Sequence, residues 1–352
     1  MSAPRPVAER RAEADRFDLR RVHPRLRFGT ASDRYAGWIG DIYPRDVWAG
    51  EVTTRKKRVG RESFEERLLP VASVADYFEH FGVLELDFPY YRPFIEPTGK
   101  PGANLFALQR YAEHAPANAR FVVKAPRDFV AMRTRTKRDG RTAYVDNPQY
   151  LDAAAFEARY LRPLRDALGV RLAGVILEQE YVRRGDAPHP EAFAAGWHGF
   201  FRELPNDVAY HLEVRSDHLA GPALTAVLEE HGVGRVFSHW TWLPPIVDQW
   251  RRSGEAFSSR HGEAVVRLLN PIDMPYERAF ALAYPFTAAV EGLAGLPQIR
   301  RMVDEATALA FQAAEAGVTL NVIANNRAWG SAPDLARTVA NRFLDFAERR
   351  GQ

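Results

Sequence analysis

Glu85 and Asp87 stand two residues apart in an otherwise apolar run, Phe81-Gly-Val-Leu-Glu-Leu-Asp-Phe-Pro-Tyr-Tyr91. An ionised carboxylate seldom enters a core unpartnered, because stripping its water is costly. Both are therefore expected to be ion-paired, or exposed where the run ends at a site. The same composition, a short apolar run closing on a polar residue, recurs down the chain. Lys124 closes 119–124, Gln179 follows 172–177, and Glu213 and Arg215 flank Val214 at the end of 208–214. His239 closes 235–239, Arg267 lies within 264–269, and Asn325 and Asn326 follow 318–323. In a strand Glu213 and Arg215 share a face, whereas Asn325 and Asn326 point opposite ways, so only one amide is expected to line a site. Glu85 and Glu213 are of a type to act as an acid and base pair, with Lys124 beside them. Lys124, Arg215 and Arg267 suit a phosphate or carboxylate, and Asp87, Gln179, His239 and one asparagine would hold substrate or water. The structural alternative pairs Glu85 with Lys124 or Arg215.

Other chemistries find less support. The chain has no cysteine, which excludes thiol catalysis, disulfides, Cys-ligated zinc and iron–sulfur clusters. There is no Ser-centred nucleophile turn, and Gly29-Thr-Ala-Ser-Asp33 matches neither the dinucleotide fingerprint nor the P-loop. The histidines lack the close spacings of metal motifs. The metal arrangement that remains open joins Glu85, Glu213 and His239 around a divalent ion, as in an isomerase or phosphoesterase. Basic stretches at 55–58 and 133–141 are a candidate nucleic-acid surface, but aromatics are scarce within them and they read better as solvated or phosphate-facing loops. Trp38, with Tyr35, Gly37, Gly40, Tyr43 and Trp48, belongs to an aromatic, glycine-containing loop of the kind that covers a ligand.

Positioning these groups requires a scaffold. Apolar runs at 26–30, 83–88, 119–124, 172–177, 208–214, 235–239, 264–269 and 318–323 read as strands. Helical periodicity is expected over 63–80, 103–114, 149–168, 190–203, 221–231, 298–316 and 333–349. Such alternation predicts a parallel sheet, and eight units within 352 residues predict a single-domain (β/α)8 TIM barrel over 26–350 with expanded loops. The polar strand ends would then meet at the barrel mouth, where this fold carries its active sites. Residues 1–25, rich in Arg, Ala and Glu, are expected to form a solvated or loosely helical extension. Hydrophobic residues at 46%, charged residues at 26% and a net charge of +3 describe a soluble globular protein, with no whole-molecule field for nucleic acid. No apolar run approaches the ~20 residues of a membrane span and no leader is visible, so a cytoplasmic location is expected.

Several of these pieces, taken in order, resemble a known family. They are Gly29-Thr30; Trp38, Gly40 and Tyr43-Pro44; Tyr77-Phe78; Val83-Leu-Glu-Leu-Asp-Phe88 with Tyr91; and Phe121-Val-Val-Lys124. Gln179 after an apolar strand, Glu213-Val-Arg215 and Asn325-Asn326 continue them. Over roughly residues 26 to 345 the chain resembles the YecE-like family of uncharacterised TIM-barrel proteins, the domain of unknown function numbered 72. The resemblance implies a TIM barrel with these polar residues around its mouth, and no settled activity. The sequence departs from the family at the seventh strand, where Val265-Val-Arg267 runs into Leu-Leu-Asn-Pro271 and a histidine is missing. It also departs at Ala31-Ser-Asp33 and in the longer segments 51–62 and 127–147.

The expected function is metal-independent acid–base chemistry, of hydrolase or lyase type, on a small anionic or polyhydroxylated substrate, with no cofactor. The alternatives are a non-catalytic barrel that binds a ligand or nucleic acid, and a divalent-metal enzyme. No membrane partner is expected, and nothing in the sequence sets the oligomeric state.

Overall fold

The computed structural model describes residues 5–138 and 141–350. In chain order its strands are β1 (Leu26–Ala31), β2 (Thr53–Val59), β3 (Glu62–Leu68), β4 (Val83–Leu86), β5 (Phe121–Lys124) and β6 (Arg133–Arg138). They continue as β7 (Arg141–Asp146), β8 (Leu172–Gln179), β9 (Tyr210–Val214), β10 (Gly234–His239), β11 (Glu263–Leu268) and β12 (Thr319–Ala324). Eight of them close a barrel in the order β1-β12-β11-β10-β9-β8-β5-β4. Every neighbouring pair is parallel, and helices fill most crossovers, so the fold is the (β/α)8 barrel read from the sequence.

The pleat decides what fills this barrel, because side chains alternate between its two faces. Val83, Val122, Ile176, Val236, Val265 and Ile323, one from each of six strands, share a buried apolar cluster. Two residues further along five of these strands, the same face carries Glu85, Lys124, Glu178, Ser238 and Arg267. A charged layer thus sits about 6.6 Å above an apolar one. In β9 the step runs from His211 to Glu213. The His211 ring is fully buried between glycines on the flanking strands, where a Cβ at Gly174 or Gly234 would come within 2.9 or 2.4 Å of it. Larger residues there would collide with the ring.

On the outer faces the helices bury apolar stripes at helical spacing. In Ala332–Arg349 the stripe is Leu335, Ala336, Val339, Phe343 and Leu344, and the Ser331 side chain caps the helix by accepting from the Asp334 amide. This helix packs on Pro297–Glu315 and on β1 and β12. No helix among the described residues is long and apolar enough to cross a membrane.

Three segments differ from the sequence reading. Residues 63–80 are not one helix. β3 pairs antiparallel with β2 as a hairpin, and the helix is confined to Val74–His80. Phe64, Leu68 and Leu69 fit either period, but cross-strand partners decide: Glu66 is held by Arg55 at 2.6 Å and Lys57 at 2.8 Å. Gly60, at φ +59°, supplies the left-handed turn between the strands. The segment 127–147, read as a loop, contains the antiparallel hairpin β6–β7. Most of its cationic side chains (Arg135, Lys137, Arg138 and Arg141) lie outside the described residues. The N-terminal segment is packed rather than solvated. Helix Val7–Asp15 docks on Ala332–Arg349 through an Arg11–Asp345 pair at 2.8 Å, and Ala14, Leu19 and Val22 are buried.

Candidate active site at the barrel mouth

Arg267, projecting inward from β11, is the centre of the charged layer. Its Nε and Nη2 donate to the two oxygens of Glu85 at 2.7 and 2.6 Å. Its Nη1 donates to Glu178 at 2.9 Å and also to Glu213. Arg215 donates from Nε to Glu213 at 3.0 Å and from Nη2 to Glu178 at 2.7 Å. Lys124 Nζ reaches Glu178 at 2.8 Å, and the Ser238 hydroxyl donates to Glu213. All six charged members are buried. Three carboxylates and three cations therefore neutralise one another where water is nearly excluded. Glu85 is paired with Arg267, not with Lys124 or Arg215 as the sequence suggested, because β11 aims its guanidinium across the barrel axis.

The two glutamates facing the mouth are driven in opposite directions. Burial lifts Glu85 above the usual carboxylate range, with Arg267 opposing. Glu178 is also buried, yet Arg215, Lys124 and Arg267 together hold it well below that range. The same carboxylates push Arg267 further up, so it is a permanent cation.

Above this layer opens a cleft of about 240 Å3, bordered by Glu85, Glu178, Lys124, Arg215 and Arg267 on its floor. Its walls are aromatic, and the cations lie on them: Lys124 Nζ is 3.9 Å from the Tyr90 ring and Arg215 is 4.1 Å from Trp240. Arg327 lies 4.6 Å from Tyr276. Such stacking fixes each cation and lowers its desolvation cost. Asp87 and Arg327 also border the cleft, and among the described residues neither side chain has an ion pair. Arg327 Nε is buried without a partner. One anion and one cation thus remain uncommitted at the entrance.

The sequence-read residues divide accordingly. Glu85, Asp87, Lys124, Arg215, Arg267, Asn325 and Asn326 border the cleft. Both asparagines do so because β12 ends at Ala324 and the chain turns, so strand alternation no longer applies. Asn325 accepts from the Arg327 amide at 3.1 Å, and Asn326 accepts from the Ala332 amide at 2.7 Å. Glu213 lies beneath the floor, holding Arg267 and Arg215. Gln179 does not border the cleft; it is on the outward face of β8 and donates to the Glu180 carbonyl. His239 faces away from Glu85 and Glu213, its Nδ1 set 2.8 Å from the Asn270 carbonyl, so these three do not converge as metal ligands. Burial lowers its pKa to about 4. Trp38 is a core residue, 1% exposed and stacked on Tyr43, rather than part of a covering loop. Glu178 is the member that sequence reasoning passed over. β8 runs two residues beyond the apolar stretch, so Glu178 shares the inward face with Ile176, and counting two from that isoleucine finds it.

The family model described as "Protein of unknown function DUF72" matches residues 27–349. The chain belongs to the DUF72 family. A DUF72 family protein of Enterococcus faecalis V583, 14% identical, superposes with a TM-score of 0.51, covering 90% of this chain and 95% of its own. A DUF72 family protein of Thermotoga maritima MSB8, 13% identical, gives 0.50 over 91% and 99%. At these identities the likeness concerns the fold. No curated protein matches the sequence. Residues 5–26 precede the DUF72 match.

Proposed function

We propose that the mouth is the active site of an acid–base enzyme, of hydrolase or lyase type, acting on a small polar substrate that carries an anionic group. The observation that carries this reading is the unequal pairing within one buried network, where Glu85 is held by Arg267 alone and Glu178 by Lys124, Arg215 and Arg267. Carboxylates whose environments drive them apart divide into a proton carrier and a permanent anion. Glu85 is the carrier. Glu178 stays ionised, and Lys124 beside it offers positive charge to a group developing negative charge. Glu213 touches no part of the cleft and acts as a positioning residue for Arg267 and Arg215. Arg327 takes the substrate's anionic group, and Asp87 is placed to receive a proton or orient a hydroxyl. The cleft volume lies below that of drug-sized pockets, which suits a metabolite-sized ligand.

The test is a panel of p-nitrophenyl phosphates and glycosides followed by p-nitrophenol release. Turnover of one class, reduced about 100-fold or more in E85Q while the variant stays folded, supports the reading. Turnover unchanged in E85Q and D87N overturns it. A second reading, a binding barrel without catalysis, is favoured by the exposed Arg55, Lys56, Arg58, Arg61 and Arg67 of the β2–β3 hairpin. Salt-dependent binding of a labelled oligonucleotide, lost when these are neutralised, would support that reading instead.

A further inference from the structure

Outside the mouth, the described residues hold one group of three metal-ligating side chains: His198, Glu230 and His231. His198 lies on helix Pro190–Glu203, while Glu230 and His231 close the adjacent helix Pro222–His231. The two helices pack side by side in the outer layer. Gly232 ends the second helix in the left-handed region, and Arg260 donates to the His231 carbonyl, so the terminus carrying His231 is fixed. The His231 ring also packs 5.9 Å from Phe201.

Two of the three ligand-atom separations already match a coordination sphere. His231 Nε2 lies 3.0 Å from His198 Nδ1, and a Glu230 oxygen lies 3.5 Å from that same Nδ1. All three atoms fall within 4.8 Å of one another. Around four-coordinate zinc, bond lengths of about 2.0–2.1 Å place neighbouring ligand atoms about 3.3 Å apart. Two of the three separations therefore lie within a few tenths of an ångström of that spacing, and side-chain rotation of His231 or Glu230 closes the third. The side chain of His198 is 39% exposed and that of Glu230 60%, leaving an open side for water as fourth ligand. By contrast, the exposed His189–Glu191 contact brings only two groups together.

We propose that His198, Glu230 and His231 bind a divalent transition-metal ion of the zinc class and clamp the two helices together. The site is independent of the chemistry proposed at the mouth. Two nitrogens and one carboxylate oxygen suit zinc or cobalt and not a hard oxygen-seeking ion such as magnesium.

The experiment titrates tag-free, chelator-stripped full-length protein with Zn²⁺ by calorimetry and with Co²⁺ by visible absorption. One saturable equivalent is expected, with the d–d absorption of four-coordinate cobalt. Affinity falls at least about 10-fold in H198A and in H231A, and less in E230Q. H189A leaves it unchanged. Zinc raises the melting temperature of the wild type by mass action and does not raise that of H198A. If the trio were only a hydrogen-bonded cluster, H198A would lower the melting temperature equally with and without zinc, and that result overturns the proposal. Equal zinc binding by the wild type and the H198A/H231A double variant overturns it as well.

Discussion

Both ends of the barrel are rich in charge, but they handle it differently. At the N-terminal ends of the strands lies an open cleft of about 680 Å3, bordered by Arg27, Arg120, Arg162, Arg165, Asp207 and Glu263 among others. Its pairs are wet: Arg165–Asp207, at 2.5 Å, keeps 39% and 57% of its side-chain surface exposed, and Arg27–Glu263, at 2.9 Å, keeps 27% and 16%. At the mouth, Arg267–Glu85 keeps 4% and 0%. Wet pairs cost little to form and contribute little. A dry network bears a desolvation cost that apolar side chains of similar volume would avoid, as the layer beneath it does. The larger cavity is thus the less informative one, and the smaller is the one whose buried charge calls for a functional reason.

That contrast can be broken by mutation. The largest expected effect is from Arg267→Met. Removing the shared cation leaves Glu85 buried and uncompensated and should cost about 3–5 kcal/mol in urea unfolding. The double variant E85M/R267M should recover most of that loss, since an apolar pair removes the orphaned charge. A single-variant cost below about 1 kcal/mol would mean that the mouth behaves like the base.

Glu178→Gln tests the electrostatics more finely. A carboxylate held below its ordinary value of 4.5 contributes stability that is fully present above pH 4.5 and is lost as pH falls through its folded-state value. The gap between wild type and E178Q should be about 2 kcal/mol at pH 7 and should shrink below pH 4.5. Glu85, raised by burial, works with the opposite sign: its contribution is complete below its unfolded value and declines as pH rises through its folded one. Urea unfolding between pH 3 and pH 7 separates the two through E178Q and E85Q. A gap independent of pH would remove the claim that the three cations depress Glu178.

The smallest effect is expected at the base. Arg165→Ala should change stability by less than about 1 kcal/mol, and less still in high salt. A larger loss would show that the base is also a dry network.

Much of this was legible in the sequence, for a geometric reason. Apolar strands buried on both faces announce themselves as runs, and eight such runs separated by helical spacings leave few folds. Within them a period of two finds the mouth residues without knowledge of contacts. Glu85, Lys124, Glu213 and Arg267 each follow an inward residue by one step, and Arg215 follows Glu213. Glu178 escaped because the end of β8 was placed too early, which shifted attention to the outward Gln179. His239 escaped correct placement for the same reason of parity, since Ser238 is the inward residue of β10. Partner choice was not legible at all. Which cation meets Glu85 depends on barrel closure between β4 and β11, 182 residues apart in sequence. Trp38 shows a different limit: aromatic and glycine content cannot separate a covering loop from a core corner, because both need rings and tight turns. His198, Glu230 and His231 lay on two helices whose packing no spacing rule reports.

The most direct measurement is a crystal structure of the protein soaked in inorganic phosphate, because it puts the two ends in competition for one ion. Phosphate seated in the mouth on Arg327, with Asp87 and Glu85 bordering the same cleft, is the expected result. Phosphate confined to the base beside Arg120 and Arg162, with the mouth network closed and unoccupied, would contradict the mouth as the site of chemistry.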